Sequence, residues 1–367
     1  MPVSEEIKAP GFDTHHFNPK KAEAPKPTPA VPPQQRNYAQ PPTVALIGAG
    51  GCGINLARAI TTDDSVNALL DEVLLLDASL ANVDQSRKHE TIHVIANGHG
   101  GGKNQRRNLE EIRRNLNQFG HLPQADVCIV LCGISGASGS TIGTVLIDNL
   151  TKAGKTVVAA IVGDHTSGID FENTERTLIS LTNVASDIYL PTILATNDSD
   201  DRTDTDAYMI QQVSDLIRLL KVHTREVDRN DRLTWLNPSR TVSVDTGIHM
   251  LYVDSATAII PAASGLTVPG IIHDSVLSLG VPAVGDKPAQ YITEIGAAAR
   301  FRKVGQIAPD STYQSPLIGI ITTASTEVDT LVDKIAKKRA FFNSQSNEVK
   351  TKVVVDKTKL DKSGYAF

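Results

Sequence analysis

The sequence predicts an α/β protein built on a parallel sheet. The main observation is a pattern that occurs twice: a short apolar run, a glycine-rich loop, and then residues with the apolar spacing of a helix. The first copy comprises the run at 43–47 and the loop at 48–53, and the second comprises the run at 127–132 and the loop at 133–139. Apolar runs of this length that alternate with helices are typical of strands buried on both faces of a parallel sheet.

The second loop has the composition of an anion-binding site. It is rich in glycine, alanine and serine, and it precedes a helical pattern that begins at Thr144. Free backbone N–H groups and the helix dipole attract phosphate where bulky side chains are absent, and Ser138, Ser140 and Thr141 could add hydroxyl donors. The alternative is a turn that needs glycine for its geometry only. The spacing excludes the G-x-S-x-G elbow of serine hydrolases.

Composition and charge restrict the class of function. The chain has 367 residues, enough for two domains, and 40% of them are hydrophobic while 21% are charged, as in a globular protein. The net charge of −5 argues against direct nucleic-acid binding. The three cysteines lack metal-binding spacing and are expected to be reduced. We expect no membrane association, no signal peptide and a cytoplasmic location, because no apolar run approaches the ~20 residues that span a bilayer.

The first loop permits a second interpretation. Gly48, Gly50 and Gly53 fit the G-x-G-x-x-G pattern, and Asp77 ends the next apolar run about 20 residues later. These are the features of a dinucleotide-binding fingerprint, so a Rossmann-fold dinucleotide-dependent oxidoreductase is an alternative. A third glycine-rich loop, at 97–104, precedes the predicted helix at 105–119. Three such loops at successive strand ends favour a longer polyphosphate.

The loops also resemble signatures of the tubulin/FtsZ superfamily. The segment SGASGSTIG at 135–143 is similar to the tubulin signature GGGTGSGMG and more similar to its phage-tubulin form, GGGSGSVLG, with Ala137 at a family glycine. The segment IGAGGCGIN at 47–55 is similar to IGVGGAGGN of FtsZ. The resemblance covers about residues 43–335. It implies a tubulin/FtsZ-like fold, with a Rossmann-type parallel-sheet GTPase domain, a central helix and a smaller α/β domain with a mixed sheet.

The resemblance divides the chain into five parts. They are a proline-rich extension expected to be disordered (1–42), the nucleotide-binding domain (43–207), the central helix (208–222), the activation domain (223–343) and a lysine-rich tail (344–367). The apolar stripe of the central helix ends near Lys221, which makes that helix about two turns shorter than in the family. In the activation domain we expect strands at 242–244, 247–253 and 317–321 and a helix at 324–340.

A tubulin/FtsZ-like chain is expected to bind GTP or GDP with Mg²⁺, without a protein-only metal site. The family's phosphate contacts and the acid after the second strand correspond to Gly50, Gly51, Cys52, Asn55, Asp77, Gly100, Gly101, Gly102, Lys103, Asn104, Gly136, Ala137, Ser138, Gly139, Ser140 and Thr141. The sugar loop corresponds to Glu172, Asn173 and Arg176, and the base contacts correspond to Asn197, to Tyr208 by stacking and to Gln212 by pairing with guanine.

The resemblance places the catalytic groups outside the nucleotide pocket. The segment EVDRNDRLTW at 226–235 is similar to NVDFADVRTV of FtsZ, which aligns Asp228 and Asp231 with the family's two carboxylates. In the family these carboxylates meet the γ-phosphate of the next subunit, where they orient or deprotonate the attacking water. Acids at a helix N-terminus are also common because of the helix dipole alone.

This arrangement implies that the chain's main partner is itself, in a dynamic head-to-tail filament that hydrolyses GTP as it polymerises. For a phage tubulin the expected role is to position phage DNA, its enclosing compartment or capsids in the host cytoplasm. A hydrolysis-deficient paralogue that binds filaments is a further alternative, favoured by Ala137, Glu226 and the short central helix.

Overall fold

The computed structural model describes residues 40–84, 86–87, 90–99, 105–164, 166–197, 201–255, 273–281, 299–322 and 337. Several predicted segments lie outside these ranges: the N-terminal residues 1–39, residues 100–104 of the third glycine loop, most of the helix at 324–340 and the tail at 344–367.

The described structure is organised around a ten-stranded sheet. The strands are β1 (Val44–Ala49), β2 (Glu72–Ser79), β3 (Ile92–Gly98), β4 (Val127–Gly133), β5 (Thr156–Asp164), β6 (Tyr189–Asn197), β7 (Gly247–Ser255), β8 (His273–Gly280), β9 (Phe301–Gln306) and β10 (Leu317–Thr322). The helices are α1 (Gly50–Thr62), α2 (Asp64–Asn67), α3 (Gln105–Gln118), α4 (Ala137–Lys152), α5 (Gly168–Ala185), α6 (Thr203–Lys221) and α7 (Arg229–Leu236), followed by a 3-10 turn at Pro238–Arg240.

The strand order is β3-β2-β1-β4-β5-β6-β7-β10-β8-β9. The seven strands from β3 to β7 are parallel to their neighbours, β10 is antiparallel to both β7 and β8, and β9 is parallel to β8. The order reverses between β1 and β4, which is the switch point where open α/β sheets form a crevice. The predicted α/β fold with a mostly parallel sheet is confirmed.

Two cores explain why the central strands are continuously apolar. In β1, Val44 and Leu46 belong to one core while Ala45 and Ile47 belong to the other, because successive side chains of a strand point to opposite faces. The first core includes the apolar residues of α1, α6 and α7, and the second includes those of α3, α4 and α5. Both faces of the parallel sheet are therefore covered by helices. In the described part of the chain, no helix combines the length and apolarity needed to cross a membrane.

Three helices begin earlier than predicted. Helices α1 and α4 begin at Gly50 and Ala137, inside the predicted loops, so the glycine-rich segments themselves form the first turns. Helix α6 begins at Thr203 instead of 208 and ends at Lys221 as predicted, so it has 19 residues. Its first turn contains Asp204 and Asp206, which stabilise a helix N-terminus electrostatically, although in the sequence they suggest a solvated loop.

The C-terminal half was predicted less completely. Strands β7 and β10 match the predictions, but residues 242–244 are not a strand and carry partly exposed side chains. Strands β8 and β9 were not predicted. Because β7 pairs with both β6 and β10, the mixed part continues the parallel part in one sheet. The domain boundaries stay a prediction.

Candidate functional site

A cavity of about 480 Å³ lies beside the switch between β1 and β4. Its wall is formed by the carboxyl ends of β2, β4, β5 and β6 and by the first turns of α1, α4, α5 and α6. Open α/β sheets bind their ligands at this position. The predicted residues that line the cavity are Gly51, Cys52, Asn55, Asp77, Gly136, Ala137, Ser138, Gly139 and Asn197.

Two helices present uncapped N-termini to the cavity. The N-cap residues of α1 and α4 are Ala49 and Gly136, and neither forms a side-chain capping hydrogen bond within the described residues. By contrast, Ser167 caps α5 and Asp228 caps α7. The first turn of a helix needs acceptors for its N–H groups, and a phosphate supplies them where side chains do not. These two turns therefore suit a polyphosphate.

The glycines of the two loops have different reasons to be glycine. Gly50 has a φ of +69°, and a Cβ there would lie 2.5 Å from the backbone nitrogen of Gly139, so the two loops pack against each other directly. A Cβ on Gly136 would meet nothing within 4 Å, and its φ of −80° suits any residue. Since Gly136 lines the cavity, its missing side chain keeps space open for a ligand.

Asp77 and Cys52 line the same wall. Asp77 is buried near the end of β2, where Oδ1 accepts a hydrogen bond from the N–H of Ala78 and Oδ2 accepts one from Asn82 Nδ2 at 2.6 Å. Burial raises the pKa of Cys52 to about 12, so its thiol is neutral and adds no negative charge beside the helix N-termini.

The opposite wall contains a polar group without a partner. Asn197, the last residue of β6, is 4% exposed, and no group of the described residues bonds to its buried Oδ1. An unpartnered buried acceptor is costly, so this oxygen is suited to receive a hydrogen bond from a ligand. Arg202 lies on the same wall, where NH2 donates to Asp164 Oδ2 at 3.0 Å.

Sequence reasoning missed four charged residues of this wall: Asp164, Asp170, Arg202 and Asp206. Asp164 is the last residue of β5, so the rule that ligands bind at the carboxyl ends of parallel strands could have found it. Arg202 and Asp206 required knowledge of where α6 begins. Burial raises the pKa of Asp206, while Arg202 opposes this effect.

The predicted sugar loop has a different role in this structure. Asn173 is buried and its Nδ2 donates to the carbonyl of Ser135 at 2.9 Å, so it supports the phosphate loop from behind. Glu172 and Arg176 form an ion pair of 2.5 Å along α5. Ser140 and Thr141 are also buried in α4 outside the cavity wall, and Ser140 Oγ donates to the carbonyl of Gly136. None of these five residues lies in the described wall of the cavity, so their contact with the nucleotide stays a prediction.

The predicted base contacts on α6 also differ. Asp206 and Ile210, one turn apart, line the cavity, whereas Tyr208 is 39% exposed and lies outside its wall. Gln212 is buried against β7, where Nε2 donates to the carbonyl of Val253 at 2.6 Å and Oε1 accepts from the Val253 N–H at 2.9 Å. This contradicts the expectation that Gln212 pairs with guanine, because both of its amide groups are engaged.

The two predicted catalytic acids lie at the other edge of the sheet. Arg229, between them in sequence, forms a bidentate ion pair with Asp126, and Asp126 accepts a hydrogen bond from the N–H of Thr43 at 3.0 Å. Asp126 and Thr43 immediately precede β4 and β1, so this contact marks the amino edge of the strands. The cavity lies at the carboxyl edge, one strand length or about 20 Å away.

Asp228 and Asp231 form a capping box at the start of α7. Asp228 Oδ1 accepts from the N–H of Asp231 at 2.8 Å, and Asp231 Oδ2 accepts from the N–H of Asp228 at 3.1 Å. Lys303 Nζ of β9 lies 2.8 Å from the same Asp231 Oδ2. Glu226 Oε2 accepts from the N–H of Gln306 at 2.9 Å, which ties this carboxylate to β9. Helix capping therefore gives one reason why acids occur at these two positions.

Comparison with known proteins gives sequence relatives among phage proteins. The chain is 30% identical over 125 residues to a phage tubulin-like protein of Pseudomonas phage phiKZ, which covers 34% of this chain and 36% of that protein. It is 28% identical over 170 residues to the phage tubulin-like protein of Pseudomonas phage PhiPA3, covering 45% and 54%. The matches thus span about half the length, or less, of these relatives. No protein-family model matches the chain.

Solved structures of the same architecture cover nearly the whole chain. The phage tubulin PhuZ with GDP superposes with a TM-score of 0.69 at 20% identity and covers 89% of this chain and all of that one. A protofilament of TubZ from bacteriophage PhiKZ gives 0.67 at 19% identity, covering 88% and 99%. The FtsZ dimer of M. jannaschii gives 0.54 at 16% identity, covering 80% and 90%. The predicted tubulin/FtsZ-like fold is confirmed.

Proposed function

We propose that this chain, which is similar to phage tubulins in sequence and in fold, is a GTPase of the tubulin/FtsZ superfamily that polymerises head to tail. The observation that carries the proposal is the separation of the cavity from the acid pair. The cavity lies at the carboxyl edge of the parallel strands, and Asp228 and Asp231 lie beside the amino edge. Stacked copies bring one edge against the other, and such a contact generates an open filament.

GTP would occupy the cavity with its phosphates on the uncapped first turns of α1 and α4. Its base would lie toward Asn197. The Oδ1 of Asn197 can accept a hydrogen bond, so it suits the N1–H and amino donors of guanine. The glycine loop at 100–104, with Lys103 and Asn104, would complete the phosphate contacts.

Magnesium fits this site as an ion held mainly by the nucleotide. Among the described residues, no three His, Cys, Asp or Glu side chains are grouped closely enough to hold a metal ion. Mg²⁺ is commonly bound through phosphates and water with one or two carboxylates. The bound ion would offset phosphate charge in a site whose described wall contains four aspartates and Arg202.

The acid pair would act on water at the γ-phosphate of the adjacent subunit. Among the described contacts, Asp228 Oδ2 and Asp231 Oδ1 accept no hydrogen bond, so each carboxylate has one oxygen for the water. Water oxygen forms a bond to the γ-phosphorus, the bond to the β–γ bridging oxygen breaks, and the proton passes to a carboxylate. Hydrolysis then removes phosphate contacts and weakens the joint between subunits.

The cellular role that we propose is a filament array that positions phage DNA, its compartment or capsids in the host cytoplasm. The phage origin of the sequence relatives supports this role. The alternative of a hydrolysis-deficient, filament-binding paralogue is favoured by one observation, the capping box that already engages both acids. Another of its supports is weaker, since Glu226 is tied to β9 through the N–H of Gln306.

The decisive experiment separates capping from catalysis at Asp231. Asp231→Asn keeps an oxygen that can accept from the N–H of Asp228, so the cap survives without the carboxylate charge. Asp231→Ala removes both and should cost about 1 kcal/mol of stability. We expect both variants to assemble with GTP, measured by right-angle light scattering, and both to lose at least about tenfold of the phosphate release rate.

Two outcomes would overturn the proposal. Phosphate release by Asp231→Asn at the wild-type rate would reduce Asp231 to a capping residue. A rate per molecule that is the same for dilute monomers as for concentrated protein would show that each subunit is complete by itself. Parallel samples with ATP and NAD test the nucleotide class, and the oxidoreductase alternative predicts binding of NAD without scattering.

A further inference from the structure

Lys303 is a cation that pairs directly with one of the predicted catalytic acids, Asp231. It belongs to β9, its Nζ lies 2.8 Å from Asp231 Oδ2, and its side chain is 33% exposed. The position lies far from α7 in sequence, and the contact depends on β9 packing beside that helix.

Two neighbouring arginines are committed elsewhere. Arg229 donates from Nε and NH2, one edge of its guanidinium group, to the two oxygens of Asp126. Arg232 is buried and donates from NH1 to the carbonyl of Leu220 and from NH2 to the carbonyl of Val222 at the end of α6. Lys303 differs from both arginines, because its ammonium group contacts the carboxylate of Asp231 and its side chain is partly accessible to solvent.

The electrostatics of the joint between subunits favour a positive charge at this position. Two carboxylates that approach a triphosphate repel it, and this repulsion grows as water leaves the contact between subunits. An ammonium group has three donors, and the described contacts of Lys303 use one of them. A lysine can therefore stay on Asp231 and reach a phosphate oxygen with a second N–H.

We propose that Lys303 belongs to the composite site: its ammonium holds Asp231 in position and contacts the terminal phosphate of the nucleotide bound by the adjacent subunit. This inference rests on the proposed head-to-tail GTPase. It makes Lys303 a residue by which the joint distinguishes triphosphate from diphosphate, because the contact exists only while the γ-phosphate is present.

The test compares Lys303→Ala and Lys303→Arg with a matched control, Lys152→Ala. Lys152 forms a Lys–Asp ion pair of similar length, 2.6 Å to Asp148, and both partners belong to α4, so the pair does not involve the predicted catalytic acids. Critical concentrations are measured by light scattering with GTP, with a slowly hydrolysed GTP analogue and with GDP. Phosphate release per polymerised subunit and the thermal unfolding midpoint are measured on the same preparations.

For Lys303→Ala we expect a critical concentration at least about tenfold higher with GTP and with the analogue, and unchanged with GDP. Its unfolding midpoint should match that of the Lys152→Ala control, because an exposed ion pair contributes little to folding. Lys303→Arg should restore most of the assembly. The inference is overturned if Lys303→Ala has the same critical concentration with GTP as the control. It is also overturned if the critical concentration rises equally with GTP and with GDP.

A second background separates the phosphate contact from positioning of Asp231. In Asp231→Asn protein, Lys303→Ala should still raise the critical concentration with GTP; no further effect would refute the phosphate contact. Wild-type protein that neither assembles with GTP nor releases phosphate would instead refute the proposed function, and this inference with it. If the wild type assembles with GTP and Lys303→Ala leaves the critical concentration unchanged, this inference alone is refuted.

Discussion

Gln212→Met should destabilise the protein and leave its choice of nucleotide unchanged. Methionine keeps the length and much of the volume of glutamine but cannot bond to the backbone of β7. The change would leave the N–H and the carbonyl of Val253 without their side-chain partner, in a residue that is fully buried. The family resemblance predicts the opposite result, a change in guanine preference with little loss of stability.

The magnitude follows from the two bonds. Each unsatisfied buried backbone group costs about 1–3 kcal/mol. Methionine avoids the cost of burying the Gln212 amide, and this offsets part of the loss from the two groups. We therefore expect a loss of about 2–4 kcal/mol in the free energy of unfolding. For a protein of this size, this corresponds to a decrease of roughly 3–5 °C in the unfolding midpoint.

The assay has two parts and a matched control. Thermal unfolding without nucleotide measures stability, and competition between GTP and ATP for the cavity measures base preference. The control is Gln211→Met, the same substitution at the adjacent exposed position, where the described hydrogen bond of the side chain is to Asp215 one turn away. Asp215 is buried but keeps its ion pair with Arg218, so we expect this control to lose about 1 kcal/mol, less than Gln212→Met. Gln212→Met with a wild-type midpoint and a lost preference for GTP would refute the reasoning.

Three further predictions concern packing and polar contacts near the ends of the strands and helices. Gly53→Ala places a Cβ 2.1 Å from the carbonyl oxygen of Leu131, so we expect a loss of about 3 kcal/mol in urea unfolding; near-wild-type stability would contradict this packing. Arg229 lowers the pKa of Asp126, so Asp126 stabilises the fold above its unfolded pKa of about 4 and loses this effect as pH falls further. The stability difference between wild type and Asp126→Asn should therefore shrink in acid, and a difference independent of pH would refute this. Arg232→Met leaves two buried carbonyls unpaired and should cost about 2–4 kcal/mol by the same urea assay, whereas no loss would show that desolvation of the guanidinium cancels its bonds.

Much of the fold could be predicted from the sequence because the central strands are buried on both faces. The apolar runs of β1, β4 and β5 are continuous, and those of β1 and β4 are followed by glycine-rich turns, so these strands are visible locally. The phosphate-binding part of the site shares this property, since its donors are backbone groups of the loops themselves. Gly136 and Gly139, predicted as phosphate contacts, accordingly line the cavity.

The side-chain contacts were predicted less well because they depend on distant partners. The role of Gln212 is decided by Val253, 41 residues later, and that of Asn173 by Ser135, 38 residues earlier. Strands β8 and β9 lack long apolar runs, and their pairing in the mixed part of the sheet defines them.

By itself, the sequence determined the class of the fold, the glycine loops and the presence of an acid pair after the central helix. These features are local, because they depend on the periodicity of apolar residues and on the missing side chains of glycine. Only the tertiary structure decided which polar side chains face the cavity, which are used up in packing, and which cation meets Asp231. A side chain with hydrogen-bonding groups binds whichever partner the folded chain brings within reach, and that partner is set by packing across the whole sheet.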